Sequence, residues 1–391
     1  MSTFLDVQHC FTVSSAPVRR AKTISDALGE WYYDRPISVT IPDNTRPLDV
    51  SIVLEHLSKR LTQLQYVIVG LGLHRSMTEE ELGDLLRYPI VQHDPDDCVF
   101  VPISRLYPTS LEDRYTTVGF SKYLLASPVS MVVGVMEIHQ YAGVSSGYKG
   151  VVVGCGDRQT ISRLHARDVV CDPSVKVGKI TNNRFRENIE FLGSHSNCTC
   201  ALVFIPNLQE WWFGHPTSLL QLASQLIPPT MWSYVPPNKR YETVVISVPS
   251  SKGRSLYQAS RALTYFLLSP HPPCGPNVKI ILCAEMEEGL GAEQAFFKYL
   301  SQHTKENAKA KWQEYLTGTE PKGAGAQRLV MLAQVFLEYS IELYGVRDAV
   351  LFRSIGMDVT NILPSRLDER CLFIDNPFTL IPQCSQSENG I

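Results

Sequence analysis

The stretch "YVIVGLGLHRSMTEEEL", Tyr66–Leu82, decides the fold. Its opening run, Tyr66–Gly70, is apolar without interruption and reads as a strand buried on both faces. Gly70 and Gly72 then end the run and let the backbone turn tightly. Thr78-Glu-Glu-Glu81 has the capping-box pattern, in which the threonine and the glutamate three residues on each satisfy a backbone N–H at a helix start. It predicts a helix running to about Arg87. Strand, glycine loop and helix within so short a span argue for an α/β fold.

The same alternation continues outward. Val132–Val135, Leu202–Ile205, Val244–Val248 and Val278–Ala284 are further strand candidates, spaced by helical patterns, so the sheets should be largely parallel. A chain of 391 residues exceeds what one core usually supports, which predicts two domains. The stretch "IPPTMWSYVPPNKRYE", Ile227–Glu242, carries two Pro-Pro pairs and reads as the stiff connector between them. After it the pattern restarts. A strand leads to Ser255-Leu-Tyr-Gln258, again a capping box, and a second strand ends in "AEMEEGLG", Ala284–Gly291.

With 44% hydrophobic and 19% charged residues, the composition is ordinary for a globular protein. The net charge of −3, with no dominant basic patch, argues against a nucleic-acid partner. The longest apolar runs fall short of the roughly 18–20 residues a membrane span needs. The N-terminal "MSTFLDVQHCFTVSS" lacks a basic region followed by an apolar one, so the expected location is cytoplasmic and no membrane is expected as partner. The ten cysteines then read as reduced thiols, and Cys198-Thr-Cys200 lacks the second pair a zinc site would need.

Three segments could carry chemistry. In "DNTRP", Asp43–Pro47, an acid precedes an arginine by three residues; this reads as a plain turn with a local ion pair or as a guanidinium fork for a carboxylate or phosphate. In "GLGLHR", Gly70–Arg75, His74 follows a strand end, where it reads as a surface histidine or as a base at the mouth of the sheet. In "HQYAGVSSGYK", His139–Lys149, a histidine again follows a strand. Gly143, Ser145, Ser146 and Gly147 make a small-residue loop able to offer backbone N–H groups to an anion, and Lys149 reads as a point charge for phosphate or as a covalent attachment point. The spacing is not that of a P-loop. Two histidines after separate strands suit proton transfer on both faces of one centre, because imidazole titrates near neutral pH.

Taken together these motifs resemble the nickel-dependent lactate racemase family. "DNTRP" is similar to its D-x-T-R-P element, "GLGLHRSMTEEEL" to G-x-G-T-H-R-P-M-T-x-x-E-[LI], and "HQYAGVSSGYK" to H-Y-F-A-G-F-S-G-G-R-K. "TISRLHA", Thr160–Ala166, places His165 where the family has its nickel histidine. "RENIE", Arg186–Glu190, "SLYQASRAL", Ser255–Leu263, and "AEMEEGLG" follow in family order. The resemblance implies two α/β domains with an active-site cleft between them: residues 1–235 plus 366–391 as a cofactor-binding N-terminal domain, and residues 240–365 as a smaller Rossmann-like domain. It implies a 2-hydroxy acid as substrate, a nickel pincer nucleotide held covalently by Lys149, Ni(II) ligated by His165, and cofactor-maturation enzymes as partners. It further implies that Gly143, Ser145 and Gly147 line the cofactor, that His74 and His139 are paired bases, and that Arg46 orients the substrate carboxylate with Asp43 buttressing it. Tyr257, Gln258 and Arg261 would contact substrate. A racemase or epimerase is the reading these residues favour. The alternatives are a nickel-pincer enzyme that transfers hydride at one face only and a non-catalytic relative that binds a small anion. The chain departs from the family at Leu73, Ser76, Ser146, Tyr148 and Arg261, and "GAGAQRLVMLAQV", Gly323–Val335, occupies the region of the family's D-Q-W-Q without its tryptophan.

Overall fold

The computed structural model describes residues 17–103, 115–236, 239–291, 294–323 and 325–385. The N-terminal stretch read above for a leader lies outside them. The chain divides into two compact units, one of residues 1–137, 144–164 and 180–228, the other of 138–143, 165–179 and 229–391.

The first unit is built on a seven-stranded sheet: β1 (Arg19–Ala21), β2 (Tyr33–Pro42), β3 (Leu61–Gly70), β4 (Ile90–Gln92), β5 (Val129–Val135), β6 (Cys198–Ile205) and β7 (Glu210–Gly214). Its spatial order is β1-β7-β6-β5-β2-β3-β4. Strands β6, β5, β2, β3 and β4 run parallel; β7 pairs antiparallel with β6, and β1, antiparallel to β7, runs with the others at the edge. Every residue of β5 is buried, as an uninterrupted apolar run requires of a central parallel strand. The core on one side joins Val39, Ile41, Val67, Val69, Met131 and Val133 to Val53, Leu54 and Leu57 of the helix Val50–Ser58. Those three helical positions recur at the three- and four-residue spacing that makes one apolar face.

From β2 the chain builds outward in one direction through β3 and β4, then returns to β2's other side with β5 and β6. This reversal is a topological switch point, where the loops beyond the strand carboxyl ends part and leave room for a ligand. Pro42 pairs with Gly70 and Thr40 with Val132, so the segments that follow β2, β3 and β5 leave the sheet side by side.

The capping box at Thr78 is present: its hydroxyl accepts from the Glu81 N–H at 3.2 Å and the Glu81 carboxylate accepts from the Thr78 N–H at 2.9 Å. The α-helix lasts only from Glu79 to Leu82 and tightens to a 3-10 turn over Gly83–Arg87. Gly83, the helix C-cap, has φ +47° and ψ −124°, a combination that glycine adopts readily.

The second unit carries β8 (Trp232–Val235), β9 (Tyr241–Ser247), β10 (Cys274–Cys283), β11 (Ser340–Tyr344), β12 (Asp358–Thr360), β13 (Cys371–Ile374) and β14 (Ile381–Cys384). Five of these form a wholly parallel sheet in the order β12-β11-β10-β9-β13, and β8 pairs with β14. The segment expected to return to the first domain is thus found in the second unit. Thr243–Ile246 of β9 pair with Cys371–Ile374, and this pairing takes up the edge hydrogen bonds of β9. Ser255 caps the helix Leu256–Leu267 by accepting from the Gln258 N–H at 3.4 Å, and that helix packs on Ala326–Glu338.

Candidate active site

In the first unit, the switch point gathers four candidate side chains. His74 Nδ1 lies 2.8 Å from Asp43 Oδ2. Asp43 Oδ1 accepts from the Thr45 N–H at 3.2 Å. Burial pushes the Asp43 carboxyl up, but the hydrogen bond and charge of His74 and the bonds from Thr45 outweigh it, and its pKa is lowered from 3.8. An ionised Asp43 fixes the His74 proton on Nδ1 and leaves the Nε2 lone pair as a base. Asp43 therefore serves His74 rather than Arg46. The Arg46 guanidinium instead pairs with Glu137 at 2.8 Å. Both pairs follow from the sheet: Asp43 and His74 follow the adjacent strands β2 and β3, and Arg46 and Glu137 follow β2 and β5.

Because Asp43 titrates lower when folded, the stability it adds is present above its unfolded value near 3.8 and is lost as pH falls through the folded one. Thermal melts of the wild type should therefore weaken below about pH 4 more steeply than those of Asp43→Asn. Equal acid slopes would refute the pairing.

The loop that carries Lys149 is braced from inside. The Ser145 hydroxyl donates to the Val135 carbonyl at 2.6 Å and accepts from the Glu137 N–H at 2.9 Å. Its side chain thus staples the loop to the end of β5. Arg186, 2% exposed, donates to the Val144 carbonyl and pairs with Glu190 at 3.2 Å. Gly143, Ser146 and Gly147 have φ of 72°, 76° and 63°. This is ordinary for glycine and costly for serine, by roughly 1–3 kcal/mol. The Ser146 hydroxyl is buried with no hydrogen-bond partner. Lys149 follows in the short helix Tyr148–Val152, where Gly150 lets the helix lie against Val132.

Tyr148, which stands where the motif has arginine, turns inward. Its ring lies against Gly193, and its hydroxyl is 3.4 Å from His215 Nε2. His215 Nδ1 accepts from the Thr217 N–H, so the His215 proton sits on Nε2 and is donated to the tyrosine oxygen. Burial pushes the Tyr148 phenol above its usual range and His215 below its own, and both stay neutral. A Cβ at Gly193 would lie 2.4–2.7 Å from the Tyr148 ring and its Cβ. Gly193→Ala should lower stability by about 1–3 kcal/mol despite alanine's better helix propensity, read as a fall in Tm. An unchanged or raised Tm would show that the ring yields freely.

In the second unit, His139 is 8% exposed. Its Nδ1 accepts from the Tyr141 and Ala142 N–H groups at 3.2 and 3.1 Å, which leaves the ring proton on Nε2. His139 is therefore a donor in the resting state, the opposite tautomer to His74. Tyr141 meets the ring of His139 edge-on at 5.7 Å and that of His165 also at 5.7 Å. Gln258 and Arg261 contact each other at 3.2 Å on the helix that Ser255 caps, and Tyr257 packs on Phe296. Among the described residues, no group of three or more His, Cys, Asp or Glu could hold a metal ion. Cys198 and Cys200 are buried in β6, and burial pushes the Cys198 thiol up to about 12.

Glu137 escaped the sequence reading. Its signal was a carboxylate two residues beyond a fully apolar strand and two before a candidate base.

Residues 25–178 match the family model described as the lactate racemase N-terminal domain. A lactate racemase of Lactiplantibacillus plantarum is 27% identical over 184 residues, which cover 44% of this chain and 41% of that protein. One of Thermoanaerobacterium thermosaccharolyticum is 20% identical over 285 residues, covering 68% of this chain and 63% of that protein. The sequence matches thus span less than two-thirds of either relative. In fold, the chain is similar to the lactate racemase apoprotein from T. thermosaccharolyticum, with a TM-score of 0.74 at 15% identity over 96% of this chain and 92% of that one. It is also similar to a Thermotoga maritima protein, with a TM-score of 0.68 at 14% identity over 92% and 96% of the two chains.

Proposed function

We propose, from the premise that the chain belongs to the lactate racemase family, that it interconverts the stereoisomers of a 2-hydroxy acid. The observation that carries this reading is the Asp43–His74 pair at the switch point of the first sheet. It engages Nδ1 of the imidazole and leaves Nε2 as the nitrogen that can take a hydroxyl proton. His139 offers its Nε2–H to the substrate oxygen as a hydrogen-bond donor, and His74, once it has taken the hydroxyl proton, is the acid that returns it. Arg46, held by Glu137, orients the substrate carboxylate through its remaining N–H groups. Tyr257, Gln258 and Arg261 contact substrate in this reading.

The family's cofactor fits the residues present. Ser146 offers a buried hydroxyl with no protein partner, three positions before Lys149 on a loop held in place from both sides. Lys149 would hold a nickel pincer nucleotide covalently, beside Gly143, Ser145 and Gly147. His165 would hold Ni(II), an ion that imidazole nitrogen suits as a ligand. When bound, the nucleotide supplies an electron-poor ring that can accept and return the Cα hydride. In this reading the protein works in the cytoplasm alongside the enzymes that mature the nucleotide.

The opposite tautomers of His74 and His139 favour one second reading, an enzyme that transfers hydride at a single face. The chain, coexpressed with maturation enzymes, should be incubated with single-enantiomer 2-hydroxy acids in deuterated water. Racemisation with the Cα hydrogen retained is the result expected. Solvent deuterium at Cα would sink hydride return, and 2-keto acid without racemisation would select the second reading.

A further inference from the structure

Among the described residues, the second unit holds a buried cation with no counter-charge. Arg328 is 4% exposed and lies in the first turn of the helix Ala326–Glu338. One terminal nitrogen donates to Gln140 Oε1 at 2.8 Å and to Thr264 Oγ1 at 3.2 Å, both neutral oxygens. Its Nε is buried with no hydrogen-bond partner. Among the described residues no carboxylate pairs with it, and the first turn of its helix holds no acidic residue. A guanidinium left unpaired inside a protein costs several kcal/mol, and a helix N-terminus adds to the positive potential.

The surroundings deepen the imbalance. Arg261 is close enough to depress the Arg328 pKa further, after burial, which is the main cause. The guanidinium carbon of Arg328 lies 5.8 Å from the Tyr257 ring centroid. Tyr141, kept neutral by burial, is near both arginines, and its ring touches His139 and His165. The cluster thus adjoins residues assigned to the reaction. It also gathers departures from the family motif: Gln140 and Tyr141 stand where that motif has tyrosine and phenylalanine. The substrate's α-carboxylate is already assigned to Arg46. A monocarboxylic acid would leave Arg328 without an anion.

We propose that Arg328, Gln140 and Thr264 form a receptor for the second carboxylate of a dicarboxylic 2-hydroxy acid. The proposal rests on the racemase reading and narrows its substrate class. Gln140 and Thr264 hold one edge of the guanidinium, and Nε with the remaining edge faces the carboxylate as a fork.

The test is calorimetric binding of 2-hydroxysuccinate and 2-hydroxybutanoate to the full chain at low ionic strength. The two acids differ in the presence of the second carboxylate. The wild type should bind 2-hydroxysuccinate at least about tenfold more tightly, the worth of a charge-assisted pair. Arg328→Met should bring the two acids within about twofold while leaving 2-hydroxybutanoate affinity unchanged. Without ligand it should melt at or above the wild type, because it removes an unpaired buried charge; a merely structural arginine would melt lower. Wild-type affinities within twofold, binding of neither acid, or a preference that survives Arg328→Met each overturn the proposal. The wild-type comparison stands even where the variant does not fold. Racemisation of 2-hydroxybutanoate with no binding preference would overturn this proposal alone. The preference without racemisation by the cofactor-loaded chain would overturn the racemase reading alone.

Discussion

Lys149→Ala, produced alongside the cofactor-maturation enzymes, should be a folded chain that carries no covalent nucleotide and racemises at the background rate. The fold around the lysine has other supports. The helix Tyr148–Val152 is held by its buried residues Tyr148, Val151 and Val152 and by the close approach of Gly150 to Val132. The loop ahead of it is held by Ser145 and Arg186. Truncation at this half-buried position should cost within about 1 kcal/mol, as for most positions away from a core. What is lost is the amine, the one group on this loop able to form the covalent link. Lys149→Arg should fail equally, since a guanidinium stays protonated and is not a nucleophile near neutral pH. Intact-mass measurement reads the loading directly. A mass increment on Lys149→Ala, or undiminished racemisation, would refute the tether.

His74→Ala should load nucleotide and nickel normally and lose about 10²–10⁴-fold in kcat, the usual worth of a positioned base. Asp43→Asn keeps a hydrogen-bonding side chain beside Nδ1 but removes the charge that stabilises the protonated ring, so its loss should be smaller and fall on kcat rather than KM. It should also show the flattened acid slope in the melts. If His74→Ala kept more than about a tenth of the wild-type kcat, the base would have to be sought elsewhere.

The strands were legible because parallel strands covered on both faces are apolar without interruption: Tyr66–Gly70 and Val132–Val135 were each identified, and each sits inside a longer observed strand. The capping box was legible because it is a purely local hydrogen-bond exchange. The partners of Asp43 were not. Sequence proximity favours Arg46, three residues on, whereas the observed partner, 31 residues on, is brought alongside by the Pro42–Gly70 register. Glu137 was missed for the same reason, since its role depends on β5 lying next to β2. Tyr148 could be flagged as a departure, but its inward turn depends on the missing side chain at Gly193, on a helix remote in sequence. Arg328 was not singled out in the sequence, and only burial beside Gln140 and Thr264 reveals its unbalanced charge.

The second unit draws on residues 138–143 and 165–179 as well as on everything after 228. A chain made from its N-terminus therefore presents those two short segments long before their neighbours exist. Gln140 waits for Thr264 and Arg328, and Gly178 waits for the Trp232 ring that packs against it. During synthesis at about 5–20 residues per second, the first sheet can close some seconds ahead of the second. Throughout that interval the hexapeptide that bears His139 has no finished structure to join. A ribosome-bound fragment ending near residue 250 should therefore be protease-resistant across the first sheet and cut between His139 and Gly143. A fragment beginning at residue 229 should fail to acquire a native fold, because it lacks both pieces.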